Sequence, residues 1–180
     1  AFRSGVVTDQ FKWIEGHKWM FDGDWYAPVV GKLIFHAKAN LGFLGRYGSK
    51  NEFSPFGRFI LGGAGLGMQN AYNVGADLIG LRGYDEGVVH ELSMAEAEKL
   101  RTGTGNITLS RMGGITYSKY AAELRYPVSL NPQATIFVLG FAEAGNSWGS
   151  YKDYNPFKLR RSAGIGARIF MAAFGLIGID

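Results

Sequence analysis

Along residues 31–47 apolar and polar side chains alternate. Leu33, Phe35, Ala37, Ala39, Leu41, Phe43 and Tyr47 fall on one face of an extended chain. Lys32, His36, Lys38, Asn40 and Arg46 fall on the other, and Ile34 and Leu44 break the pattern. A period of two predicts a β-strand with one apolar and one polar face. Phe11 to Tyr26 behaves the same way, with Phe11, Trp13, Trp19, Phe21 and Trp25 opposite Lys12, Lys18, Asp22 and Asp24. Thr116 to Tyr126 sets Tyr120, Ala122, Leu124 and Tyr126 against Tyr117, Lys119, Glu123 and Arg125. Ala134 to Trp148 is a further strand, apolar on both faces. Phe157 to Phe170 puts Ala163, Ile165, Ala167 and Ile169 opposite Arg160, Ser162, Gly164 and Arg168, and Leu176 to Asp180 is a last piece.

Strand length separates two architectures. Strands of soluble sandwiches and barrels run about 5–6 residues, whereas transmembrane β-strands need about 9–11. The alternating segments here are of the longer kind. Aromatic residues collect near their ends (Trp13, Trp25, Tyr47, Tyr126, Trp148), as an interfacial girdle requires. Proline-containing stretches, "YAPVVGK" and "YPVSLNPQ", read as short turns that alternate with longer polar connections. The expected fold class is therefore all-β, an antiparallel transmembrane β-barrel. With about six strands counted, and about 8 needed for the smallest single-chain barrels, residues 1–180 are expected to form only a portion of a larger barrel. Residues 48–113 form its longest connection, expected to be an extracellular loop with a role of its own, since structureless loops beyond about 12–15 residues are uncommon.

Composition narrows the chemistry. The 180 residues include 27 glycines and no cysteine, which removes disulfides and thiolate metal sites. The net charge of +4 carries no basic stripe beyond the Arg160-Arg161 pair, so nucleic acid is not an expected partner. "GGAGLG" lacks the following helix that a nucleotide-binding fingerprint needs. His17, His36 and His90 lack metal-ligand spacing, and no serine sits in a nucleophile elbow. No enzyme activity, cofactor or metal is expected. "SMAEAEKL" (Ser93 to Leu100) carries a Ser-x-x-Glu capping box and predicts a short helix within the long connection.

"GLRGYDEG" places a single arginine, Arg82, inside this glycine-rich connection. Glu123 lies on the polar face of its strand, and Glu143 lies among apolar neighbours in "GFAEAGNSW". If the connection folds back into the lumen, both carboxylates face the guanidinium, whose planar fork suits bidentate pairing. The alternative leaves Arg82 solvated at a loop tip and both glutamates lining water. The residue pattern leaves both open.

Beyond pattern, "LGG…LRGYDEG" resembles the "GG…VRGF/Y" signature in the sixth extracellular loop of the BamA-like family of outer-membrane barrel assembly proteins. "AAELRYPV", "FAEAGNSW" and "LRRSAGIGARIFMAAFGLIGID" resemble, in order, the strands that follow that loop. The resemblance implies a loop folded into the barrel, with Arg82, Gly83 and Tyr84 as its motif and Glu123 and Glu143 as acidic partners on the inner wall. Leu81 stands where the family has valine, and Glu143 where aspartate is common. The family's periplasmic repeats, early strands and closing strand have no counterpart in these residues. The implied function is to fold and insert β-barrel proteins at the bacterial outer membrane. Outer-membrane lipids, unfolded outer-membrane clients and periplasmic assembly lipoproteins are the implied partners. A two-partner secretion transporter shares the motif but exports one polypeptide, and a passive porin is a third reading.

Overall fold

The computed structural model describes residues 16–47, 53, 57–63, 76–85, 89, 113–131, 134–171 and 175–180. Among the described residues there are eight strands: β1 (Gly16–Val30), β2 (Leu33–Arg46), β3 (Arg58–Leu61), β4 (Ala76–Ile79), β5 (Thr116–Asn131), β6 (Ala134–Trp148), β7 (Arg160–Met171) and β8 (Gly175–Ile179). Six of them form one antiparallel sheet in the order β1-β2-β5-β6-β7-β8. Its four longest strands, of 14 to 16 residues, exceed what a membrane crossing requires.

Register carries the alternation seen in the sequence across the whole sheet. Asp22 pairs with Asn40, Asn40 with Lys119, Lys119 with Gly145 and Gly145 with Arg160, so polar positions of five strands share one row and one face. Two rows on, Asp24, Lys38, Ala121, Glu143 and Ser162 align on that same face. The other face carries exposed Trp19, Phe21, Trp25, Leu124, Val138 and Ile165. An apolar face turned outward around a polar interior is the transmembrane-barrel arrangement, and the sheet is a section of such a wall.

Both proline-containing stretches join strands as expected, with β1 giving way to β2 after Val30 and β5 to β6 after Asn131, but Pro28 and Pro127 themselves lie within the strands. Strand pairing runs through Pro28 and Pro127, and each stands at a register shift (Pro28/Val30 and Pro127/Ser129). Proline has no N–H for a ladder, and a bulge is where a strand interior tolerates that. The first turn is the pair Gly31-Lys32 at the end of its stretch, with Gly31 at φ 58°. β7 also starts later than Phe157, because Asn155, Pro156 and Phe157 belong to the connection before it: the Asn155 side chain accepts from the Phe157 N–H at 2.9 Å.

Between β2 and β5 the described residues lie against the inner face. β3 and β4 form a two-stranded parallel sheet that the sequence did not reveal. Runs of only four residues, RFIL buried throughout and ADLI half-buried throughout, show no alternation to read. Leu44, Phe59, Leu61, Leu81, Val89, Ile115 and Tyr117 make an apolar core between this ribbon and the sheet. That core explains Leu44, an apolar side chain on the polar face of β2. Trp148, expected in an interfacial girdle, is fully buried instead: its ring meets Tyr154 at 4.8 Å and its carbonyl accepts from the Ile115 N–H at 2.8 Å. Trp25, Tyr47 and Tyr126 are exposed, whereas Trp13 and the segment 93–100, where a helix was expected, lie outside the described residues.

Candidate functional site: an arginine clasp on the inner wall

Arg82 follows β4 and the Leu81 bridge to Gly63, and these bring it down onto the middle of β5 and β6. Leu81, fully buried in the apolar core, holds the backbone immediately before it. Gly83 has φ 80°, a conformation that side chains strain to adopt, and a Cβ there would meet Ser162 Cβ at 3.1 Å. The chain therefore passes close over β7, where the Tyr84 hydroxyl donates to the Arg161 carbonyl at 2.8 Å. Each residue of the Arg-Gly-Tyr motif makes a separate contact with the wall.

The guanidinium is met from three sides. Arg82 Nε donates to Glu143 Oε1 at 3.0 Å and Nη2 to the same oxygen at 2.8 Å, while the Arg82 backbone N–H donates to Glu143 Oε2 at 2.8 Å. Nη2 also donates to Glu123 Oε1. The plane of charge lies 3.8 Å from the Phe141 ring centroid, a cation–π contact in a desolvated setting. Arg82, Glu123 and Glu143 are all buried. Burial by itself lowers the arginine's pKa, but the hydrogen bonds and charges of Glu143 and then Glu123 outweigh it and raise the value above normal. The cation is thus permanent in the folded state.

Both glutamates have second partners that the sequence pattern did not single out. Lys119 Nζ lies 3.2 Å from Glu143 and donates to the Gly80 carbonyl at 2.5 Å, tying β5 to the backbone beside the motif. Arg125 Nε donates to Glu123 Oε2 at 2.8 Å. His36 bridges Glu123, 3.3 Å from Nδ1, to Asp24, 2.7 Å from Nε2, with the Tyr26 ring stacked on it at 4.3 Å. On the far side Asp180 lies 3.7 Å from Arg82 Nη1 and accepts from Arg168 at 2.6 Å. All of these side chains occupy polar-face positions. That signal was in the sequence, but the choice of partners depends on register. His17 lies elsewhere, 5.0 Å from the Tyr47 ring, and His90 lies outside the described residues.

This arrangement offers opposed charges held at hydrogen-bonding distance, with no nucleophile–base pair among them. Chemically it can fasten and orient. Together with a wall that is apolar outside and polar inside, it defines a transmembrane β-barrel whose inner face is occupied by its own polypeptide. Residues 7–180 match the Omp85 superfamily domain, and the chain belongs to that superfamily of outer-membrane insertion and transport proteins. Comparison with curated proteins and with solved structures gave no match.

Proposed function

We propose that this chain is part of a BamA-like protein, the central subunit of the machinery that folds and inserts β-barrel proteins into the bacterial outer membrane. The observation that carries the reading is the clasp itself. Arg82, at the tip of an inward-folded segment, is bound by two buried carboxylates from adjacent strands. In this reading residues 48–113 are the extracellular loop, and the clasp braces the inner wall while neighbouring strands pair with a client. Insertion needs no covalent chemistry. Client strands satisfy their backbone groups by pairing and bury their apolar faces in lipid. The partners are outer-membrane lipids, unfolded outer-membrane proteins and periplasmic assembly lipoproteins, with no nucleic acid.

Arg82→Glu tests this directly, because it places three carboxylates together. The expected result is a protein that still reaches the outer membrane while the levels of folded client barrels fall. Normal client levels in that variant would overturn the bracing role. Loss of one exported polypeptide with client barrels intact would instead support a two-partner secretion transporter, which would use the same clasp. A passive porin predicts steady ion conductance through an open lumen, which an inward-folded segment over the sheet opposes.

A further inference from the structure

Charge is distributed very unevenly between the two faces of the sheet. Lys18, Asp22, Asp24, Lys38, Lys119, Glu123, Arg125, Glu143 and Arg168 all occupy inward positions, as the register rows establish. Among the described residues of the six strands, Arg161 is the one charged side chain at an outward position, in the row Gly23, Ala39, Tyr120, Ala144, Arg161. Its carbonyl is used by Tyr84, but among the described residues its guanidinium has no hydrogen-bond or ion-pair partner. A lipid-facing arginine costs about 2–4 kcal/mol at mid-membrane and about 0–1 near an interface. Arg161 is the second residue of β7, which places it at the end of the apolar band.

Beside it the wall is hollow. Tyr120, Ala122, Ala142, Ala144, Arg161 and Ala163 line a groove of about 540 Å³ on the outer face of β5, β6 and β7. Below it a second, apolar hollow of about 650 Å³ continues past Gly140, where an added Cβ would meet nothing within 4 Å. From Arg161 to Ala167 the strand rises roughly 20 Å at about 3.3 Å per residue. The hollow strip therefore runs down the wall from the cation, along strands that a barrel tilts by about 35–45°. Lys152, Lys158 and Arg160 stand in or beside the connection above, against one acid, Asp153. That connection is ordered: Asn146 donates to the Lys158 carbonyl at 3.0 Å, yet Phe157 is left 85% exposed. An exposed aromatic beside basic residues marks the headgroup level of a bilayer.

We propose that this strip is a binding site for one phosphate-bearing lipid. Arg161 pairs with the phosphate, the Tyr120 hydroxyl stands beside it, and an acyl chain lies over the alanine floor and Gly140. Charge complementarity selects the occupant. A neutral amphiphile would fill the hollow but leave the guanidinium unpaired, and a free phosphate ion would leave the apolar strip uncovered. The inference rests on the outer face meeting lipid and holds whether the barrel inserts or exports proteins.

The test uses the full-length protein in phosphatidylcholine nanodiscs doped with phosphatidylglycerol, with the lipid retained on release counted by native mass spectrometry. The wild type is expected to retain one phosphatidylglycerol in preference to phosphatidylcholine. Arg161→Gln is expected to lower that retention at least fivefold and Arg161→Lys to restore most of it, which separates lost charge from lost folding. Ala142→Phe, which fills the floor and keeps the cation, is expected to lower retention as well. Equal retention by wild type and Arg161→Gln would overturn the site. So would undiminished retention in Ala142→Phe, or competition by millimolar inorganic phosphate as effective as that by the lipid.

Discussion

The segment between β2 and β5 is fastened to the inner wall in two chemically opposite ways. Near the top, Phe59, Leu61, Leu81 and Val89 pack on Leu44, Ile115 and Tyr117, and backbone hydrogen bonds link Phe59 to Gly114 and Leu61 to Val89. Lower down, Arg82 is held by Glu123, Glu143 and the face of Phe141. The apolar attachment resembles the core of a soluble domain, and its strength grows with the area removed from water. The ionic one gains little net energy over an apolar replacement, because its charges must be desolvated, but it is intolerant of losing one member. The upper region holds the segment down, and the lower one fixes where its tip sits.

The largest expected effect breaks the lower attachment from one side. Arg82→Ala removes the guanidinium between two buried carboxylates, leaving Glu143 with Lys119 and the backbone N–H of residue 82 and Glu123 with Arg125 and His36. Removing one partner of such a set costs about 3–5 kcal/mol. Amide exchange at residues 81–85 should accelerate strongly while β5 and β6 keep their protection. Unchanged exchange at those residues would mean that the clasp does not position the tip. Next comes the apolar attachment. Leu61→Ala removes a fully buried side chain and is expected to cost about 2–4 kcal/mol, read as a lowered urea midpoint with Arg82 still protected. A midpoint equal to that of wild type would remove the core from the comparison. Smaller again is Gly83→Ala, which forces a side chain into φ 80° and towards Ser162. Strain of this kind costs about 1–3 kcal/mol, and the expected readout is loss of protection at the Tyr84 end of the motif while the Leu61 core remains intact.

Legibility in the sequence divides along the same line. Period two marked β1, β2, β5 and β7 and assigned Glu123 to the polar face, because the face of each strand that meets lipid carries almost no charge. Arg82 stood out as a lone cation among glycines. Glu143 lies on a strand that is apolar on both faces, since its row meets the buried motif rather than open water, so alternation alone was a poor guide there. The roles of His36, Asp24, Lys119 and Asp180 require knowing that residue 36 sits opposite 123 and 24 opposite 38. A register is a tertiary property, and a slip of one residue would turn each of them outward. β3 and β4 were unreadable for another reason, as four residues of uniform burial carry no period. The proline-containing stretches did mark the turns, but that Pro28 and Pro127 stand at bulges ahead of them is decided only by the pairing.

A third charged contact sharpens the comparison by being weak. Lys18 on β1 pairs with Asp77 on β4, tying the ribbon to the wall as Arg82 does, but both side chains are partly open to solvent, at 27% and 39%. Exposed pairs contribute about 0–1 kcal/mol, and salt screens them over about 8–10 Å. Asp77→Asn keeps the shape of β4 and leaves Lys18 Nζ 4.7 Å from the Phe59 ring centroid, so the cation retains a contact. The expected change in the urea midpoint is small at low salt and vanishes at high salt, whereas the effect of Arg82→Ala persists at both. If Asp77→Asn matched Arg82→Ala in size, ion pairing in general would be holding the segment. The distinction drawn between a buried clasp that positions and a solvated pair that merely decorates would then fail.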